Sequence, residues 1–224
     1  MSEPLLARVR KLLAMAEDPA CTPGEAEAFT AKAAELIAKY GIDQAMLAVT
    51  DPAVDPVGDR VIVLDAPYAR EKAGLLAAVA APMRCRVVHL DRRSLARSHL
   101  FGHSADLERV ELLFTSLLVQ AAHGLAASPV PWGEHAAAYR RSWMVGYTQA
   151  ISTRLWDAER SAAAETPGAE LVLVDRTELV ERRRDEMYPN LARMRPRRLQ
   201  GTGLYRGYQA GQSARLGGAE VTRS

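Results

Sequence analysis

Three long stretches of helical hydrophobic period leave this chain room for only short strands. Residues 105–126 place Leu107, Val110, Leu113, Phe114, Leu117 and Leu118 on one face, with Ser104 positioned to cap the first turn. After the break "SPVPWG" (128–133) a second helix is predicted over about 134–164, and "TPG" (166–168) ends it. The third lies in "TPGEAEAFTAKAAELIAKYGID" (22–43), where Ala26, Phe29, Ala33, Leu36, Ile37 and Tyr40 form one apolar face. Thr22 reads as its N-cap, Pro23 as its first residue and Glu25 as the other half of a capping box. Gly41 reads as its left-handed stop. A preceding helix over about 3–17 carries Leu5, Val9, Leu12, Leu13 and Ala16 at helical spacing and needs an apolar partner. Residues 1–49 are therefore expected to form an antiparallel helical hairpin, with Asp43 capping a further short turn.

"TDPAVDPVGD" (50–59) holds two prolines, a glycine and three aspartates and reads as a linker. Beyond it, "RVIVLD" (60–65) reads as a strand and "YAREKAGLLAAVAAP" (68–82) as a helix. "RCRVVHLD" (84–91) and "ARSHLFG" (96–102) read as a β-hairpin turning at Arg92-Arg93-Ser94. "ELVLVD" (170–175) is expected to be a fourth strand, followed by a capping box in "DRTE" (175–178) that opens a helix to about Tyr188. An extended segment (188–203) and a last helix (204–216) close the chain. The expectation is a predominantly α, α+β protein: the hairpin, then a β-α-β-β-α-α-β-α module over 60–224 with a small mixed or antiparallel sheet.

One internal echo stands out. "WMVGYTQAISTRL" (143–155) and "LYRGYQAGQSARL" (204–216) align without a gap and match at Gly146/Gly207 and Tyr147/Tyr208. Glycine inside a helix costs about 1 kcal/mol against alanine, so two at matching positions ask for a reason. Close helix approach is the structural reason; paired Tyr and Arg groups lining a cleft is the functional alternative.

Charge is unevenly spread. Residues 175–224 hold eleven basic against six acidic residues, whereas residues 1–51 hold five against eight. A basic C-terminal region suits a polyanionic partner. Arginine makes up 25 of the 29 basic residues, which fits the codon bias of a GC-rich genome equally well. Cys21 and Cys85 lack C-x-x-C spacing and read as two reduced thiols. Charges near the N-terminus interrupt any signal-like apolar run, and no run approaches the eighteen or so apolar residues of a membrane span, so no membrane association is expected.

The stretch "VRKLLAMAEDPACTPGEAEAFTAKAAELIAKYGID" closely resembles the bacterial and phage family called domain of unknown function 2786. The carrying features are the K-L-L-A-x-A-E helix, the T-P-x-E-A-x-A start and the K-Y-G-I ending. "CRVV" (85–88), "FGHSADLERVELLFTSLLVQA" (101–121), "YRRSWMVGY" (139–147) and "GYQAGQSARLGG" (207–218) resemble the module that often follows it in actinobacterial members. The resemblance implies a cytoplasmic protein of actinobacterial or mobile-element background and carries no activity or catalytic residues.

His99 and His103, with Asp106, Glu108 and Glu111 nearby, are the candidate metal ligands. On a strand, residues four apart sit roughly 13 Å from each other, so shared ligation needs a tight turn and a third ligand such as His89. No G-x-S-x-G elbow occurs, "GTG" (201–203) lacks the Lys-Ser/Thr of a phosphate loop, and no cofactor is expected. Arg182, Arg183, Arg184, Arg193, Arg195, Arg197 and Arg198 form the basic cluster; the first three spread over about 200° of a helix, so they cannot all be buried. The functional expectation is a non-enzymatic binding protein whose basic C-terminal surface contacts DNA or RNA. The alternatives are a metal-assisted hydrolase and a protein–protein adaptor, including self-association through the acidic hairpin.

Overall fold

The computed structural model describes residues 7–9, 11–12, 15, 23–90, 96–192 and 199–214. Its elements are α1 (Pro23–Thr50), β1 (Val57–Val63), α2 (Ala69–Ala80), β2 (Arg86–His89), β3 (Arg97–His103), α3 (Ser104–Ala127), α4 (Ala136–Ala164), α5 (Ala169–Met187) and α6 (Leu204–Gln212), with a 3-10 turn at Pro52–Val54. The protein is α+β and mostly helical, around one small antiparallel sheet. The first helix and the Thr22–Glu25 capping box fall largely outside the described residues. Residues 7–9, 11, 12 and 15 are helical, and Val9 is buried in one core with Ala33 and Ile37.

β3 lies between β1 and β2, antiparallel to both. Side chains alternate across a pleated strand, so directly opposed residues share a face. On one face Val57, Val88 and Phe101 meet Val180 of α5 and Tyr188 just beyond it. On the other, Ile62, Val87 and Leu100 join Leu76 and Val79 of α2 and Leu107 and Val110 of α3 in the main core. Helix α4 packs on α2 and carries α6 along its other side. By length and composition α3 is apolar enough to cross a membrane. One side of it is buried, where Asp106 and Arg109 lie among Leu107, Val110, Leu113 and Leu117.

Two expectations are corrected. Residues 170–175 are not a strand but the start of α5. The run Leu171-Val172-Leu173-Val174 has no period of its own. The residues that go inside are Ala169, Leu173, Arg176 and Val180, at helical spacing, while Leu171 stays 77% exposed. The "DRTE" box is consequently helix interior, with the Thr177 hydroxyl donating to the Leu173 carbonyl at 2.8 Å. The second correction concerns Gly41. It does not end its helix: α1 continues through it to Thr50, burying Ile42 and Ala45, and Gly41 has no left-handed backbone.

Helices α4 and α6 run parallel and touch through glycines. A Cβ on Gly207 would overlap the Trp143 carbonyl oxygen, with the Trp143 Cα only 2.8 Å away. A Cβ on Gly146 would overlap the Leu204 carbonyl oxygen and reach within 2.8 Å of the Tyr208 nitrogen; one on Gly211 would lie 2.6 Å from the Tyr147 carbonyl oxygen. Tyr147 is buried, stacks on Trp143 at 5.3 Å between ring centroids and donates to the Leu117 carbonyl at 3.2 Å. Burial pushes its phenol well above the usual range. Tyr208 stays at the surface, its oxygen accepting from Gln212.

Candidate functional site

The core is crossed by a chain of ion pairs built from five separate parts of the sequence. Arg84 donates to Glu159 Oε2 at 3.0 Å, and Glu159 Oε1 accepts from Arg109. Arg109 donates to Asp106 Oδ1 at 2.7 Å, and Asp106 Oδ2 lies 3.1 Å from Arg176 Nη2. The same nitrogen donates to Asp55 Oδ2 at 2.6 Å, and Asp55 Oδ1 accepts from the Ala105 backbone N–H at 2.8 Å. Arg109 is wholly buried; Asp55, Asp106, Glu159 and Arg176 are each 4% exposed or less. Burial works against the Arg109 charge, but Glu159 and Asp106 outweigh it and hold the guanidinium above its usual pKa. Three cations face three anions, so the set is neutral. Such a chain adds little net stability over an apolar core, but breaking it strands a buried charge.

Arg109 reaches Glu159 by passing over Gly41: any side chain there would overlap the guanidinium. This clearance, not a helix stop, is the physical role of that glycine. Asp55 likewise turns the 50–59 stretch into a point of attachment, tying the chain between α1 and β1 to α3 and α5.

At the Asp55–Arg176 end the chain opens onto a cavity of about 400 Å³ between α1 and α5. Its walls include Ala45, Ala48 and Val49 from α1 and Val172 and Leu179 from α5; Asp55, His103, Asp175 and Arg176 are its polar members. Val49 and Leu179 are 59% and 44% exposed. His103 Nδ1 sits 2.7 Å from the Asp55 carbonyl oxygen. A carbonyl only accepts, so Nδ1 carries a proton. Among the described residues, His103 Nε2, Arg176 Nε and Arg176 Nη1 find no hydrogen-bond partner, and each has under 1 Å² of accessible surface.

His99, on the same strand face, is used differently. Its Nε2 lies 2.8 Å from Asp59 Oδ2 and its Nδ1 2.8 Å from the Tyr188 hydroxyl, and its ring packs on Phe101 at 4.3 Å between centroids. Both nitrogens are therefore occupied, and the phenyl ring stands between the two histidines. Asp106 is held in its ion pairs, and Glu111 pairs with Arg60. Among the described residues no three His, Cys, Asp or Glu side chains converge as metal ligands. His99 and His103 are thus not brought together, because a strand spaces them along its length. Cys85 is buried, and burial pushes its thiol well above the usual value.

Of the basic cluster, Arg182 and Arg183 lie exposed near the end of α5, while Arg184 is half-buried and bonded to Asp185. Arg183 is 3.5 Å from Asp59 Oδ1, and the neighbouring Glu181 holds Arg86 at 2.7 Å. Arg193, Arg195, Arg197 and Arg198 lie outside the described residues.

Nothing in the local sequence marked Asp55, His103 and Arg176 as neighbours, since they come from a turn, a strand end and a helix. One signal was available: Arg176 stands at a core position of the 169–180 helical period, where an arginine needs buried partners.

Residues 5–44 match the model of a family described as protein of unknown function (DUF2786). No curated protein and no solved structure matches the chain.

Proposed function

We propose that this chain is a binding protein for a small amphipathic molecule held in the cavity between α1 and α5. One observation carries the reading: the cavity joins apolar walls from Ala45, Ala48, Val49, Val172 and Leu179 to the polar residues Asp55, His103, Asp175 and Arg176. A molecule with an apolar body and a polar end matches both kinds of lining. A volume of about 400 Å³ is in the range of small-ligand sites. The groups that would otherwise suggest catalysis are engaged: both His99 nitrogens are hydrogen-bonded, Asp106 and Glu159 are ion-paired, and the Cys85 thiol is buried.

The neutral fluorophore N-phenyl-1-naphthylamine tests this. It should brighten on binding with one-to-one stoichiometry, and Ala48→Phe, which fills the cavity from α1, should abolish the signal while the circular dichroism spectrum is unchanged. No brightening, or brightening that survives Ala48→Phe, overturns the reading.

A second reading keeps the nucleic-acid partner, favoured by the exposure of Arg182 and Arg183. DNA or RNA binding should then weaken steeply with salt, and replacing both arginines with alanine should flatten the log–log slope by about 2. Absence of binding at low salt rules this reading out.

A further inference from the structure

We infer that a second cavity, between α2, α3 and α4, binds a small organic anion: an oxyanion head on an apolar body. The site is separate from the α1–α5 cavity, and the inference does not depend on the reading given to that cavity.

This cavity holds about 370 Å³, within the range of small-molecule sites. Leu118, Ala121 and Leu125 of α3 and Met144 of α4 form its apolar wall. Its charged members are Lys72 of α2 and Arg140 of α4. Among the described residues no Asp or Glu lines it. The acids closest in sequence are placed elsewhere. Asp65 and Glu71 are outside the lining, and both carboxylate oxygens of Glu134 accept from Thr202 at 2.7 Å. Lys72 Nζ donates to the Asp65 backbone carbonyl at 2.8 Å, which positions the ammonium without neutralising it. Neither Lys72 nor Arg140 enters an ion pair among the described residues.

Charge then selects the ligand. A molecule that fills so small a space touches the α2 and α4 walls together and meets the field of both cations. Apolar walls focus that field and keep its strength above what open water allows. A neutral ligand would leave both charges unmet, and a cation would add a third like charge. An anion with an apolar body satisfies the cations and the α3 wall at once. Tyr68 adds an aromatic ring and a hydroxyl to the same lining. Its backbone is left-handed (φ 66°, ψ 28°), a costly conformation for a bulky side chain. The α1–α5 cavity has the opposite preference: Asp55 and Asp175 line it, and its Arg176 is already paired. The two cavities should therefore sort ligands by charge.

The test uses the full chain and 1-anilinonaphthalene-8-sulfonate, which is N-phenyl-1-naphthylamine carrying a sulfonate. It should bind with one-to-one stoichiometry, and more weakly as salt is raised. Octanoate should displace it, with octanol and octylamine at least tenfold weaker. The double variant Lys72→Gln/Arg140→Gln should lose at least tenfold in affinity for the sulfonate, whereas Lys72→Arg/Arg140→Lys should stay within threefold of the wild type. Lys72 is half-buried and Arg140 exposed, so neither change strands a buried partner. Ala48→Phe, on the far cavity, should leave sulfonate binding unchanged. Absence of sulfonate binding, equal displacement by octanol, or full affinity after both charges are removed overturns the inference. Loss of sulfonate binding in Ala48→Phe also overturns it, by placing the anion in the α1–α5 cavity. The competitor series needs only the wild-type chain, so the inference stays testable if a variant does not fold.

Discussion

Arg109→Met is expected to destabilise the protein by about 3–5 kcal/mol, the cost of breaking a buried ion pair from one side. Asp106 would keep Arg176 and Glu159 would keep Arg84, but the buried set would carry one uncompensated negative charge. Urea denaturation should move the midpoint down by more than about 1 M, given slopes of roughly 1–3 kcal/mol per molar. The double variant Arg109→Met/Glu159→Gln restores neutrality among the remaining buried groups. It should therefore be less destabilised than the sum of the two single changes, as coupled neighbours are. A cost below about 1 kcal/mol for Arg109→Met would mean that solvent reaches this chain, contrary to the complete burial of the arginine.

Gly207→Ala should cost about 3 kcal/mol, at the upper end for overpacking, because the added methyl meets main chain and not a yielding side chain. The sign is informative. In a free helix the same change is favourable by about 1 kcal/mol. Docked on α4, the methyl would push α6 away from Trp143, and the contact between the Trp143 and Tyr147 rings lies directly beneath. Thermal unfolding should drop by roughly 6–12 °C for a chain of this size, with loss of near-ultraviolet dichroism. A rise in melting temperature would show that α6 does not pack against α4 in solution.

How far these features could be read from the sequence depends on how local their causes are. The α3 helix was legible because its apolar residues recur at a helical interval over many turns, and α4 because breaks at 128–133 and 166–168 bound it. The β2–β3 pairing was legible from two short apolar runs around a polar break, although the turn itself, 91–95, lies outside the described residues. The 170–175 segment was misread because four consecutive apolar residues fit a buried strand as well as one side of a helix. Its true period includes an arginine, which a hydrophobic pattern discards. The α4–α6 contact is half legible: the Gly146/Gly207 echo points to close approach, while the fourfold spacing of Gly203, Gly207 and Gly211 gains its meaning only from the docked α4 backbone. The cavity was not legible at all. Asp55 sat in a proline-rich stretch that reads as a linker, and His103 resembled half of a metal pair.

The passage of Arg109 over Gly41 also changes what the N-terminal match means. A glycine in mid-helix is ordinarily a weakness, and within residues 5–44 taken alone it has no visible purpose. Its purpose is supplied 68 positions downstream, by an arginine outside the matched stretch. The matched residues also stop six short of the end of α1 at Thr50. The match therefore ends inside a helix, and that helix is notched at Gly41 for an arginine that a later part of the chain provides.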